Sequence, residues 1–437
     1  MGKSHPLSQM ERERIYQKKT KGNTVKEIAA ELGRSEEVVK KWWGRIREEG
    51  VAGLADRKPG KKPKGILSSF DKRVGEEALR LKRLHSKWGA PRVLIELPQT
   101  PEWPALDLPS PSRLAVFFKK HCPECIATYH PRPPARARPV IATAVHEVWQ
   151  LDSQEKFLLH DGTIATVCNV RDPFGAVMIG SRAFSVKTEK HWRKLNWTEI
   201  RELLRSSFAE WKTLPERVLT DNELCLAGAP TDPFPSRLTL WLCGFGIAHK
   251  FIRPHRPTDQ AEIERNHRTL DNLTMDEESR ANLETLQRAL DKERRVHNQL
   301  LPSRASNCNG LAPLTAHPEL LQPHRSYSPE YELLLFDLQR IYDYLSTFVF
   351  DRKVNSTGSV SLGRILYSIG HCQAGKALQV RCDPITHEWV FFQRAEEKEV
   401  ELEHRTIKKT DIVSLTGLEP QAVQLPQPIQ LTLPTPM

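Results

Sequence analysis

Three carboxylates stand where they could do chemistry together. Asp152 lies inside the alternating stretch VWQLDSQEKF (148–157), Asp221 ends the short apolar run in RVLTDNE (217–223), and Glu264 lies near the start of the helical stretch AEIERNHRTLDNL (261–273). Carboxylates gathered at one point repel one another unless a cation compensates. Hard divalent ions such as magnesium prefer oxygen ligands and keep positions open for phosphate oxygens. Two such ions about 3.5–4 Å apart can hold both the attacking and the leaving oxygen of an in-line displacement at phosphorus. With 54 acids in the chain, spacing alone does not single out these three. Asp152 or Asp221 also reads as a helix N-cap, and Glu264 as a solvated helix acid. Periodicity does not separate Glu264 from Glu262 either, since each lies about 100° from Ile263, on opposite sides of it.

Around the third acid stand Lys250, Arg253, Arg256, Arg265 and Arg268. Such a cluster can neutralise phosphates or pair with acids on neighbouring helices. His255 and His267 read equally as groups that orient a nucleophile and as structural hydrogen-bond partners. A separate string, HCPEC (121–125), places Cys122 and Cys125 at a zinc-ligand spacing with His121 or His130 as further donors, but a fourth ligand and a second pair are missing.

The elements that must position the acids form a mixed α/β layer. Strands are expected over 148–157, 162–170 and 175–184, the first two joined through an Asp-Gly turn. A helix follows at 197–211, then a short strand at 217–223, a helix at 236–246, a strand at 247–254 and a helix from about 259. A long helix at 281–300 and another at 327–343 lead to a region of short strands from 347: FVFDRKVN, SVSLGRILYS, ALQVRCD, EWVFFQR and IVSL. Regular short strands separated by Gly turns predict a small β-barrel.

Ahead of this body lie two helical modules. In TVKEIAAELGRSEEVVKKWWGRIREE (24–49), Val25, Ile28, Ala29 and Leu32 mark one helix face, Gly33 breaks it, Ser35 caps a second helix, and Val38, Val39, Trp42 and Ile46 form the inner stripe. Helix, short turn, helix is the helix-turn-helix pattern. Arg34, Lys40, Lys41 and Arg45 on the second helix could reach a major groove and its phosphates. The linker GLADRKPGKKPKG (53–65) carries Arg57, Lys58, Lys61, Lys62 and Lys64 and suits a phosphate backbone or minor groove. A second helix-turn-helix is expected from Ser69, with Val74, Ala78, Leu81 and Leu84 inward, 111–119 as its reading helix, and Arg92, Arg113 and Lys119 toward DNA. The Pro- and Arg-rich string HPRPPARARPV (130–140), with Arg132 and Arg136, ends this part.

Charge agrees with that division. Residues 1–140 hold 30 Lys and Arg against 16 Asp and Glu, whereas residues 141–437 hold 35 against 38, so the whole +11 excess comes from the first third. That asymmetry favours a polyanion-binding front joined to a near-neutral body. Hydrophobic residues at 39% and charged residues at 27% indicate a globular chain, not a disordered or fibrous one. No apolar run reaches bilayer length, the N-terminus has no signal core, and eight cysteines in 437 residues fit a reducing cytoplasm better than a disulfide scaffold. The last nineteen residues (419–437) are rich in Pro and Gln and are expected to be disordered.

The local strings carry a more specific signal. WQLD ending at Asp152, LTDN at 219–222 and RPHRPTDQAEIERNHRTL at 253–270 resemble the catalytic core of DDE transposases and retroviral integrases, an RNase H-like fold. In insertion-sequence transposases of this type a comparable P-x-x-x-x-x-x-E-R-x-H-x-T-L segment carries the catalytic Glu, which implies Glu264 rather than Glu262. HNQ…PSR…NGLAPLTA (297–316) is similar to the tail of that core, and 345–415 to the small β-barrel of Mu-like transposases. Two features depart from the family: the string NELCLAG (222–228) after the second Asp, and an interval of 42 residues between Asp221 and Glu264. Neither removes an acid.

The resemblance implies a multidomain transposase. Its expected parts are a helix-turn-helix domain at 1–52, a basic linker at 53–68, a second helix-turn-helix domain at 69–128, a Pro/Arg linker at 129–143, an RNase H-like core at 144–280, a helical connector at 281–344, a β-barrel at 345–417 and a tail at 418–437. It implies two Mg2+ (or Mn2+) ions per active site, with Asp152 bridging them and Asp221 and Glu264 each completing one. Partners would be double-stranded DNA, both transposon ends and target, and further copies of the chain as a dimer or tetramer on DNA. The tail could hook an AAA+ ATPase regulator of the kind found with Mu-like systems. The location implied is the cytoplasm, on the bacterial nucleoid. The competing readings are a catalytically silent, domesticated copy that only binds DNA sequence-specifically, and a structure-selective nuclease of RNase H type.

Overall fold

The computed structural model describes residues 7–55, 65–99, 107–126, 142–186, 193–221, 234–252, 278–395 and 398–419. The chain divides into two compact units, Met1–Phe70 and Asp71–Met437.

In the first unit, polar caps set the helix starts. Ser8 and Glu11 form a reciprocal capping box before α1 (Gln9–Thr20), and Thr24 and Glu27 form another before α2 (Val25–Leu32). Gly33 ends α2 with φ +61°, a conformation that disfavours a side chain. Ser35 then stands at the N-cap of α3 (Glu36–Glu49), although its side chain makes no capping hydrogen bond. Ile15, Ile28, Val39, Ile46 and Leu54 meet in one core, with Val25, Leu32, Val38 and Trp42 packed around it. Arg12 is buried and ties the unit together: its guanidinium donates to Leu7 O and Leu54 O and lies 4.4 Å over the Trp42 ring.

The second unit begins with three helices, α4 (Lys72–Leu84), α5 (Ala90–Glu96) and α6 (Pro111–His121). Ser110 caps α6 and Pro111 opens it, as the sequence predicts. Val74, Ala78 and Leu81 are inward, whereas Leu84 at the end of α4 is exposed.

The central sheet contains β1 (Val148–Leu158), β2 (Ile164–Asp172), β3 (Val177–Ser185), β4 (Arg217–Thr220) and β5 (Ala248–Phe251) in the order β3-β2-β1-β4-β5. The first three are antiparallel; β4 and β5 run parallel to β1. This is the strand order of an RNase H-like core. Helices α7 (Trp197–Trp211) and α8 (Arg237–Gly244) connect β3 to β4 and β4 to β5. Gly180 on β3 admits α7, since a Cβ there would stand 2.5 Å from Ser207 Oγ.

Beyond the sheet come α9 (Leu283–Gln299), α10 (Pro313–Ala316), α11 (Glu332–Leu335) and α12 (Leu338–Ser346). The helix expected over 327–343 is thus two pieces, because Asp337 leaves the helical backbone and caps α12 instead.

The expected barrel takes another form. β6 (Val349–Lys353), β9 (Ala377–Asp383), β10 (Glu388–Ala395) and β11 (Lys398–Thr406) make an antiparallel sheet in the order β11-β10-β9-β6, while β7 (Ser359–Leu362) and β8 (Ile365–Ser368) pair only with each other. Among the described residues no pairing closes these strands into a barrel. Phe350, Val360, Leu362, Tyr367, Val380, Trp389 and Phe391 belong instead to the same apolar core as α7 and α8, and Phe234 contacts both Phe350 and Trp389. IVSL, expected as a strand, is α13 (Ile412–Thr416), with Asp411 capping its start and Gly417, at φ +72°, ending it. Its carbonyls accept from Arg237 (Ser414 O, 2.8 Å), Arg201 (Leu415 O, 2.7 Å) and Arg205 (Thr416 O, 2.5 Å).

Candidate active site

Strand alternation sorts the core sheet into two faces. Trp149 and Leu151 on β1, Cys168 and Val170 on β2, Ile179 on β3 and Val218 on β4 share one apolar core with α7 and α8. Gln150 and Asp152 point the other way. Opposite Asp152 on β2 is Asn169, and opposite Asn169 on β3 is Ser181. This second face is where α9 packs: Leu286 and Leu290 cover Ala165, Val167, Met178 and Ala183.

The register sets β1 beside β4 just ahead of the first two acids. Gln150 on β1 stands level with Leu219 on β4. Two residues further on come Asp152, still on β1, and Asp221, just past the end of β4, and strand alternation continued through both points them to the Gln150 face. Both are half-buried. Lys250 on β5 is level with Leu219, hence on the same face, and it is exposed. Ile252, which donates to Thr220 O at 2.9 Å, brings the chain out at this same end of the sheet. Glu264 lies outside the described residues, as do Arg253, Arg256, Arg265, Arg268, His255 and His267.

A chain of hydroxyls holds the end of β4. Thr220 donates from Oγ1 to Asp221 O at 3.0 Å, so it accepts from His249 Nε2 at 3.0 Å. His249 Nδ1 therefore accepts from Thr239 Oγ1 at 2.9 Å, and Thr239 Oγ1 in turn takes the Ser236 hydroxyl at 2.8 Å. This order fixes one neutral tautomer. Burial agrees, pulling His249 down to about 4. Nothing in the string IAHK (247–250) announces this role; it becomes visible only once β5 lies beside β4.

The polar face behind Asp152 is built from amides. Asn169 Oδ1 accepts the Ser181 hydroxyl at 2.6 Å. Gln150 is buried, and its amide has no hydrogen-bond partner among the described residues. From α9, Asn298 brackets the Met178 peptide (2.9 Å to both N and O), and Gln287 reaches Ser181 O and Ala183 N at 3.1 and 2.9 Å. β3 is the end strand of the sheet, so these side chains take up main-chain groups that a further strand would otherwise use. His297 donates through Nε2 to Ala176 O at 3.2 Å, and burial pulls it down to about 4.

The basic residues expected on DNA divide into two kinds. Lys40 and Lys41 on α3, and Lys119 and Arg113 on α6, are exposed. Arg34 is partly buried and paired with Glu11 of α1 at 3.0 Å. Arg45 lies 5.0 Å over the Trp42 ring, donates to Ala55 O at 2.9 Å and pairs with Glu49 at 3.2 Å. Arg92 departs most from expectation. It is 2% exposed, bound to Glu293 of α9 (2.6 and 3.0 Å) and to Glu96 (2.7 Å), and stacked 4.0 Å from the Trp88 ring centroid. It is a clamp between α5 and α9, closed to DNA. Arg57, Lys58, Lys61, Lys62, Lys64, Arg132 and Arg136 lie outside the described residues, as does the tail from 420. No helix among the described residues is long and apolar enough to cross a membrane.

A family model described as a helix-turn-helix domain matches residues 11–64. Among solved structures, the chain is similar to the catalytic core domain of BIV integrase, at 16% identity and a TM-score of 0.28, over 40% of this chain and 95% of that one. It is also similar to the HTLV-2 integrase catalytic core domain in complex with magnesium, at 15% identity and a TM-score of 0.28, over 39% of this chain and 96% of that one. A third likeness is to the simian T-cell lymphotropic virus intasome in complex with PP2A regulatory subunit B56 gamma, at 12% identity and a TM-score of 0.32, over 74% of this chain and 95% of that one. The fold assignment rests on the sheet order and register described above.

Proposed function

We propose that this protein is a DNA transposase that binds the ends of a mobile element, cuts them at their 3′ ends and joins them to target DNA. What supports the reading is the parallel β1–β4 pairing, level at Gln150 and Leu219 and leading two residues on into Asp152 and Asp221, on the polar face of an RNase H-like sheet. A donor set of carboxylate oxygens suits Mg2+ or Mn2+. Asp152 and Asp221 would hold the ions, with Glu264 as the third ligand. Bound there, divalent ions supply Lewis-acid stabilisation of charge at phosphorus.

The chain's own residues do the rest. The Ser236–Thr239–His249–Thr220 chain fixes the main chain that carries Asp221. Lys250, exposed on the acid-bearing face, is placed to meet a phosphate. The helix-turn-helix domain at 11–64 presents Lys40 and Lys41 to the duplex. Two ends must be cut and joined together, so the active species is an assembly of two or more copies on DNA.

The test is a strand-transfer assay with pre-cut element ends and Mg2+ or Mn2+, with Asp221→Asn run alongside. The expected result is joining by the native protein and a loss of roughly a thousandfold or more in the variant, with binding to element ends retained. Binding without joining in both would favour the silent, DNA-marking reading. Cleavage indifferent to DNA sequence would favour the nuclease.

A further inference from the structure

We propose that Cys122, Glu124 and Cys125, at the end of α6, form a binding site for Zn2+, separate from the catalytic acids. The two sulfurs and a Glu124 carboxylate oxygen lie within 4.8 Å of one another. In a tetrahedral zinc site such donors stand about 3.5–4 Å apart, given zinc–sulfur and zinc–oxygen bonds of about 2.3 and 2.0 Å. Glu124 is exposed and Cys125 half-buried. The backbone already favours convergence. α6 ends at Cys122, and the 3-10 turn Pro123–Cys125 that follows folds Cys125 back, its N–H donating to Cys122 O at 3.1 Å.

A buried ammonium lies near the two sulfurs. Lys82 of α4 is 5% exposed, and its ammonium donates to Trp88 O at 2.9 Å and to Ser86 O. The Cys125 and Cys122 sulfurs act on it electrostatically. As neutral thiols they leave the buried charge uncompensated. As zinc ligands they do not: two thiolates and one carboxylate balance the charge of one Zn2+ and one ammonium. Zinc binding would displace the thiol protons to solvent, with no change of oxidation state. Three protein donors leave a fourth position for water. Arg83, 3.8 Å from Glu124, brings a second α4 cation to the rim. The site would hold the turn that follows α6 closed against the end of that helix.

The test uses the full chain, purified without chelators. The metal content is measured by mass spectrometry, and Co2+ is then substituted and read by its thiolate-to-cobalt charge-transfer absorption. A carboxylate site lacks that band, so the result is independent of the catalytic acids. The expected result is one zinc per chain and a cobalt band that is lost in Cys125→Ser, with Glu124→Gln binding about tenfold or more weakly. Cys125 is half-buried, so its serine variant is expected to fold where a change at buried Cys122 would not. A metal-free protein with two titratable thiols, a Cys122–Cys125 disulfide, or zinc content unchanged in Cys125→Ser would each overturn the proposal.

Discussion

The two faces of the central sheet use the same five strands for opposite ends. One face buries Trp149, Val218 and Ile179 under α7 and α8, with Phe208 and Trp241 stacked at 5.8 Å. The other carries Gln150, Asp152, Asn169 and Ser181, and α9 meets it through a short apolar contact and then through amides. Apolar burial holds the fold on the first face and leaves the second free to carry charge. Stability and the proposed chemistry are thereby separated by the one-residue alternation of a strand.

The sharpest way to break that comparison is to mutate neighbours. Asp152→Asn is expected to lower strand transfer roughly a thousandfold while changing stability by less than about 0.5 kcal/mol. Trp149→Ala, three residues away on the other face, is expected to cost about 3–5 kcal/mol in urea unfolding. If Asp152→Asn unfolds the protein instead, the two faces do not divide the labour in this way.

Arg92→Ala should behave like a core mutation despite its charge, costing about 3 kcal/mol, because it strands buried Glu293. A loss confined to DNA affinity would return Arg92 to the reading surface. The pH dependence comes next. His297 titrates near 6.5 when unfolded and near 4 when folded, so the unfolded state binds more protons between those values. The stability that His297 contributes is therefore full above pH 6.5 and lost as pH falls toward 4. His297→Gln should flatten that part of a pH–stability curve. The smallest effect is expected at Lys41. Lys41→Ala should weaken DNA binding a few-fold and reduce the salt slope by about one, with the melting temperature unchanged.

Much of the architecture was legible because local signals agreed with it. The helix at 197–211 has its Asn196 cap and its inward Ile200, Leu203, Leu204, Phe208 and Trp211. The helix-turn-helix has Gly33 at a left-handed position. Legibility failed where a residue's partner is remote in sequence. KEVELEHRT (398–406) is not among the expected strands, yet it is β11, laddered along β10, with Arg381 of β9 pairing with Glu399 and Glu401 at 2.5 and 3.0 Å. IVSL has strand composition, but Asp411 and Gly417 bracket it as a helix whose end lies against Arg201 and Arg205. Arg92 looks like any exposed helix arginine until Glu293, 201 positions away, is set beside it. For the acids, strand spacing gave nothing until the β1–β4 pairing set Gln150 level with Leu219, two residues before each Asp.

One helix does two jobs whose combination matters. α9 is stitched to β3 by Asn298 and Gln287, and it also presents Glu293 to Arg92. The span from the α4–α6 module to the carboxylates is thus set by a rigid rod seven residues shorter than two dozen, pinned at both stations. Under the proposed function, a duplex gripped by that module would meet the acids at a set offset, so the scissile bond would be chosen by measurement as well as by sequence.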